Sequence, residues 1–325
     1  MPITTADFDS LTDDLQEIFN EVAGSKVAEN KGFDIFNISD TDRQSYKYQV
    51  LHGLEGVKKV GEGENLPNIT GVEGDSATWT QARYGGIVPI TKDMRKFDLY
   101  NKIEGVVKSV TEDSFDKVDQ TLADVLTQGF GTSYTDAFGE TVSAVTPDGK
   151  SLFNTSHDSP SGSGTFSNVI NDGSNDNPAL SRDAIVEMRS RGMTYEDPNG
   201  ITRPIKYDTL IVPPALEDRA TRLVETERVP GSANWDVNPV SGWIKDIKVW
   251  ERLETAADGT DASAYWFLAD SSMLEESLRA LFAERPTLDA PEQVYKNKNW
   301  EYSLDFYYAI GRGFPKGVAG SKGIN

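Results

Sequence analysis

Ser156, His157 and Asp158 stand side by side in SLFNTSHDSPSGSG, residues 151–164, and supply the three side-chain types of nucleophilic acyl transfer. Adjacent positions cannot assemble that chemistry. The nucleophile must bond one imidazole nitrogen while a carboxylate orients the other, and neighbouring residues do not converge in that way. No G-x-S-x-G elbow is present to expose a serine. Asn154, Ser156, Asp158 and Pro160 instead have the makeup of Asx and serine turns. A second string, AVTPDGKS at 144–151, ends like a phosphate-binding loop, but Ala144 stands where the leading glycine is required. TPDG is itself a turn signature, and LFNTS after it offers no helix start. The oxygen-rich DGSNDNP at 172–178 lacks the spaced acids and closing glutamate of a calcium loop. Carboxylate pairs such as Asp13-Asp14 and Glu275-Glu276 point apart. His52 fits a polar strand position. No catalytic residue, cofactor or metal site is expected.

Composition narrows the classes further. The chain of 325 residues has no cysteine and two histidines, which excludes disulfides, thiolate metal sites and a cysteine nucleophile. It carries 32 basic and 52 acidic residues, a net charge of −20. A surface that binds nucleic acid by neutralising phosphates is therefore disfavoured. The N-terminus has no basic and apolar leader, and no run approaches the ~18 apolar residues of a membrane span. A soluble protein made in the cytoplasm, with no membrane partner, is expected.

With no chemistry to position, the elements become the main signal. Phe8, Leu11, Leu15, Ile18, Phe19 and Val22 form one apolar stripe of a helix that Gly24 is placed to end. Such a helix is marginal alone, so its stripe must dock. From 45 to 90 the pattern is extended, with Tyr46, Tyr48 and Val50 on one strand, a return through ATWTQARYGGIVPIT, and a glycine-rich polar stretch between them. A two-stranded flap with so small a core needs a surface, its own body or a neighbour's. Residues 91–129 predict one helix of roughly 55 Å, capped by Thr91 and ended by Gly129. Its apolar face comprises Met94, Phe97, Ile103, Val107, Val110, Val118, Leu122 and Val125. Strands are expected at 209–212, 244–250 and 265–268, with a helix carrying Leu216, Leu223 and Val224 after Pro213-Pro214. At 300–310, Trp300, Tyr302, Leu304, Phe306, Tyr308 and Ile310 alternate onto one face of a long strand.

This order of parts, with GEGENLP, SLFNTSH, DTLIVPPALEDRATRLV, NPVSGW and WFLADSS, resembles the tailed-phage major capsid proteins of the Hong Kong 97-type fold. The likeness is greatest to the Mu-like major head subunit family. It implies an α+β fold with an N-terminal arm (1–44), an extended E-loop (45–90) and a peripheral domain with a spine helix (91–165). An axial domain (166–275) and a return to the peripheral domain (276–325) complete it. It also implies a structural protein of the virion capsid, assembled in the host cytoplasm into pentamers and hexamers of an icosahedral shell around double-stranded DNA.

Arm and flap cannot offset their own ordering entropy in isolation, so assembly contacts are expected at Phe8, Leu11, Leu15, Phe19, Lys58, Lys59, Glu62, Pro67 and Trp79. Met1 leads straight into the arm, which implies a separate scaffold protein; a portal and decoration proteins are further implied partners. Packaged DNA is expected in non-specific proximity only. Lys58 and Lys59 lie where one relative crosslinks its subunits, yet no acceptor asparagine is identifiable and crosslinking is not expected. The alternatives are an encapsulin-like compartment, a soluble hydrolase using His157 and a secreted binding module.

Overall fold

The computed structural model describes residues 5–54, 59–66, 71–97, 100–159, 164–196, 201–226, 228, 237–294, 296–297 and 299–324. The first part of the chain forms α1 (Thr5–Glu29), α2 (Gly32–Ile35), β1 (Asn37–Asp40), β2 (Ser45–Leu54), β3 (Gly71–Thr80), β4 (Ala82–Ile90), α3 (Lys92–Lys96) and α4 (Tyr100–Thr127). Two small hairpins follow, β5 (Ser133–Thr135) with β6 (Thr141–Ser143) and β7 (His157–Asp158) with β8 (Thr165–Phe166). Then come α5 (Arg182–Gly192), β9 (Thr209–Val212), α6 (Glu217–Glu225), β10 (Asp246–Val249) and β11 (Trp266–Ala269). The chain closes with α7 (Leu274–Ser277), β12 (Leu278–Leu288), β13 (Glu292–Gln293), β14 (Trp300–Arg312) and β15 (Val318–Ser321).

Helix α1 runs through Gly24, where a side chain would meet nothing within 4 Å, and on to Glu29. Gly24 does not end it because the last turn is held from outside. Lys26 pairs with Asp116 of α4 at 3.3 Å, and the Asn30 amide donates to the Phe115 carbonyl at 3.2 Å. The stripe docks on its own chain: Leu15 and Phe19 are buried in the same core as Ile103, Val107, Val118 and Leu122 of α4. These two side chains, expected at contacts between copies, pack within the core of their own chain. The side chains of Phe8 and Leu11 lie outside the described residues.

The expected single long helix is two. Thr91 caps α3 by accepting from the Met94 N–H at 3.2 Å, as its position implied. At Phe97 the backbone leaves the helical region (φ −105°, ψ 25°), and its ring is 67% exposed, off the expected apolar face. Helix α4 then spans 28 residues, roughly 42 Å. Its second half is buried nearly all round, with Phe115, Ala123 and Leu126 joining the anticipated face, because α1 and parts of both sheets share its core.

One sheet holds β1, β12, β14 and β13, with β4 paired along the far side of β14 from Trp300↔Ile90 to Tyr308↔Ala82. The second sheet has the order β10-β9-β11-β15. Its strands TLIV, WFLA and VAGS are buried at every position because they divide two cores. Ile211, Phe267 and Val318 face the core of α4, while Leu210, Val212, Leu268 and Ala319 join Ile185, Met188 and Val224 of α5 and α6. Residues 82–90 pair with β14 in the five-stranded sheet, and β15 near the chain end pairs with β11 in the second sheet.

Candidate functional site

His157 is fully buried, and both ring nitrogens are committed. Nδ1 lies 2.6 Å from Asp148 Oδ2, Nε2 lies 3.2 Å from the Leu152 carbonyl oxygen, and the ring stacks on Phe166 at 5.1 Å. An imidazole–carboxylate pair thus exists, but its acid comes from the TPDG turn and its Nε2 faces a backbone carbonyl, not a nucleophile. Ser156 is exposed, its backbone N–H bonded to Asn154 Oδ1 in an Asx turn, and Asp158 pairs with Lys150 at 2.7 Å. The Lys150 ammonium also donates to the Ser156 carbonyl, so the lysine of the phosphate-loop string closes this same loop. Burial opposes the charge on Asp148, yet hydrogen bonds from His157, Thr146 and the Lys150 N–H prevail and hold its pKa at about 2. This constellation fastens a loop.

In DGSNDNP, Asp172 Oδ1 accepts from the backbone N–H groups of Ser174 and Asn175 at 2.9 and 2.8 Å, which makes it a turn. Among the described residues, no group of three or more His, Asp or Glu could hold a metal ion.

Two buried carboxylates of α4 join the modules. Asp119 accepts from the Gly32 N–H at 2.8 Å and the Trp250 indole N–H at 3.0 Å, and a side chain at residue 32 would fall 2.6 Å from it. Asp124 accepts from the Ala257 N–H at 3.0 Å and the Gln120 amide at 3.1 Å. Burial pushes the pKa of Asp124 up to about 6, partly opposed by those two bonds and reinforced by nearby Asp258 and Asp136. Neither carboxylate stood out in the sequence, since a helical acid looks solvated until its surroundings are known.

The flap consists of β2 and β3, paired antiparallel with Tyr46 opposite Trp79. At its root the Trp79 indole stacks on Tyr46 at 5.8 Å and Tyr48 at 5.2 Å, over Leu281 and Ala309 of the five-stranded sheet. Gly311 makes the seat: a Cβ there would lie 2.4 Å from the indole. The alternation of β14 ends here, because Ala309 is buried on the face opposite Tyr308 by this indole. Trp79, expected at a contact between copies, is packed within its own chain.

The far end differs. Lys59 and all of 61–66 are exposed, Glu62 included, and Leu66 is 83% exposed. Within this tip the Gly61 N–H donates to Glu64 Oε2 at 3.0 Å. Lys58 and Pro67 lie outside the described residues. His52 sits opposite Val72 in the flap.

Residues 75–321 match the family model described as phage capsid protein. The fold is similar to a structure from Mycobacterium phage Adephagia, at 14% identity over 90% of this chain and 89% of that one, with a TM-score of 0.50. It is also similar to the capsid of an empty GTA particle, at 8% identity over 89% and 88% of the two chains, with a TM-score of 0.50. No match was found among curated proteins.

Proposed function

The chain belongs to the phage capsid protein family, and from that premise we propose how this major capsid protein closes its shell. Copies associate head to tail into pentamers and hexamers, and these into an icosahedral wall around double-stranded DNA. The observation that carries the proposal is the flap, anchored on its own sheet at Trp79 and exposed at Lys59 and throughout 61–66, with Leu66 83% exposed. A two-stranded flap is marginal by itself, so a tip that its own sheet does not support is suited to lie on another surface. A flap laid on the next subunit makes a contact whose two sides differ, and such contacts close into rings when the rotation permits. Each needs upward of ~1,000 Å² to persist.

On this reading 1–44 is the arm, β2–β3 the E-loop, α4 the spine helix and 166–275 the axial domain. Within the family, LFNTSH and LIVPPALE favour kinship with the Mu-like head subunits. The net charge of −20 keeps the wall from adhering to the packaged genome. A scaffold protein, a portal and decoration proteins are its proposed partners, and the host cytoplasm its place of assembly. The compartment alternative is not favoured by the family assignment, and the hydrolase alternative is opposed by the burial of His157 and by its Nε2 facing the Leu152 carbonyl, where a nucleophile would have to stand. Negative-stain imaging of the purified protein tests the proposal: rings of five or six, or closed shells, are expected, and a folded monomer at high concentration would overturn it.

A further inference from the structure

Polar side chains along one face of α4 hold the connection between β10 and β11. Asp116 pairs with Arg252 at 3.0 Å, and Asp119 lies 3.7 Å from the same guanidinium. The Gln120 amide donates to the Arg252 and Thr255 carbonyls at 3.3 and 3.2 Å, and Asp124 accepts from the Ala257 N–H at 3.0 Å. Beyond Glu254 the chain folds back on itself. The Thr255↔Asp261 bridge closes a small loop, in which the Ala256 N–H donates to the Thr260 carbonyl at 3.0 Å. Ala256 and Ala262 are buried and 257–261 are exposed, so Asp124 takes hold where the loop leaves the core.

The acids of this joint are not equivalent. Asp116 and Asp119 have cationic neighbours in Lys26 and Arg252, whereas among the described residues Asp124 has no ion pair. It is fully buried, its two donors are neutral and both bond Oδ1, and Oδ2 has no partner. The titratable groups that face it are acids: Asp258 from the loop, and Asp136 and Tyr134 from the β5–β6 hairpin. Arg312 stands behind Tyr134, bonded to its hydroxyl at 2.8 Å. A buried carboxylate charge with neither a cation nor a donor for each oxygen is costly, and a proton on Oδ2 removes that cost while Oδ1 still accepts. We propose that the 254–262 loop is a pH-sensitive latch, closed on α4 while Asp124 is neutral and opened more readily once Asp124 is ionised, because opening delivers the charge to water. The latch needs no second copy.

The direction follows from the burial, which raises the pKa of Asp124 to about 6 with the loop closed, against an ordinary 3.8. Stabilisation of the closed loop is therefore complete below the ordinary value and lost as pH rises through about 6, which makes opening about a hundredfold more frequent above that window. Hydrogen exchange of the full chain, read by mass spectrometry from about pH 4 to about pH 8 and corrected for the intrinsic pH dependence of exchange, tests this. Peptides spanning Ala257 should lose up to about a hundredfold in protection by about pH 6 and change little beyond it. They should also be less protected than the buried amides of α4, since a local opening costs less than unfolding. Asp124→Asn keeps an acceptor for the Ala257 N–H and cannot ionise, so its loop should retain the low-pH protection throughout. A profile without the fall, the same fall in Asp124→Asn, or loop protection equal to that of the α4 amides overturns the latch.

Discussion

The two ends of one hairpin meet opposite fates. At the root, Trp79 is clamped by Tyr46 and Tyr48 and seated over Gly311; at the tip, Leu66 touches no core. Both are large apolar side chains on one flap. Burial needs a complementary surface, and the sheet supplies one only under the root. An exposed side chain that the chain itself does not cover is a candidate for contact between copies, and a buried one is a structural anchor.

The strongest way to break this contrast is to empty the root. Trp79→Ala should destabilise dissociated subunits by about 3–5 kcal/mol, the usual range for losing a buried aromatic, as measured by denaturant unfolding. An unchanged midpoint would mean that the root is not an anchor.

A smaller effect distinguishes two carboxylates that burial pushes the same way and hydrogen bonds drive apart. Asp124 has a folded pKa of about 6 against 3.8 unfolded, so the folded state binds its proton more tightly. Its contribution to stability is greatest at low pH and is lost as pH rises through about 6, on the order of 2–3 kcal/mol. Asp124→Asn should therefore flatten the stability profile between pH 4 and 6, a window that runs from the unfolded to the folded pKa. An unaltered slope would show that burial does not govern this group. Asp148, held at about 2, has the reverse sign. Its contribution, on the order of 2 kcal/mol, is complete above the unfolded pKa and lost as pH falls toward 2. His157→Ala should reduce this acid sensitivity, which acid-unfolding curves would reveal.

The smallest expected change in stability comes from the tip. Leu66→Asp should move subunit unfolding by no more than about 0.5 kcal/mol, as for exposed positions generally. Shell yield, read by negative stain or sedimentation, should nevertheless collapse. Normal shells from this variant would remove the tip from the proposed contact.

Much of the fold was legible in the residues. The stripe of α1, the Thr91 cap, the TLIV strand stopped by Pro213-Pro214 and the alternation of β14 are local patterns, and each appears where periodicity placed it. The turns at TPDG and DGSNDNP were legible for the same reason. Helix α5 and strand β12 were not singled out, and β12 contains Pro286, which disguises a strand. The candidate surfaces were less legible still. Leu15, Phe19 and Trp79 are suited by type to contacts between copies, and nothing nearby in sequence announces the partners that bury them.

The sequence by itself determined the acidity, the strongly periodic elements and the inability of adjacent Ser156, His157 and Asp158 to converge, because these depend on spacing and composition within short windows. Only the tertiary structure decided that His157 pairs with Asp148, that β15 completes the second sheet, and that Trp79 is anchored while Leu66 is not. Those outcomes depend on which surfaces meet. A pit such as the one at Gly311 exists only after distant segments have been packed beside it.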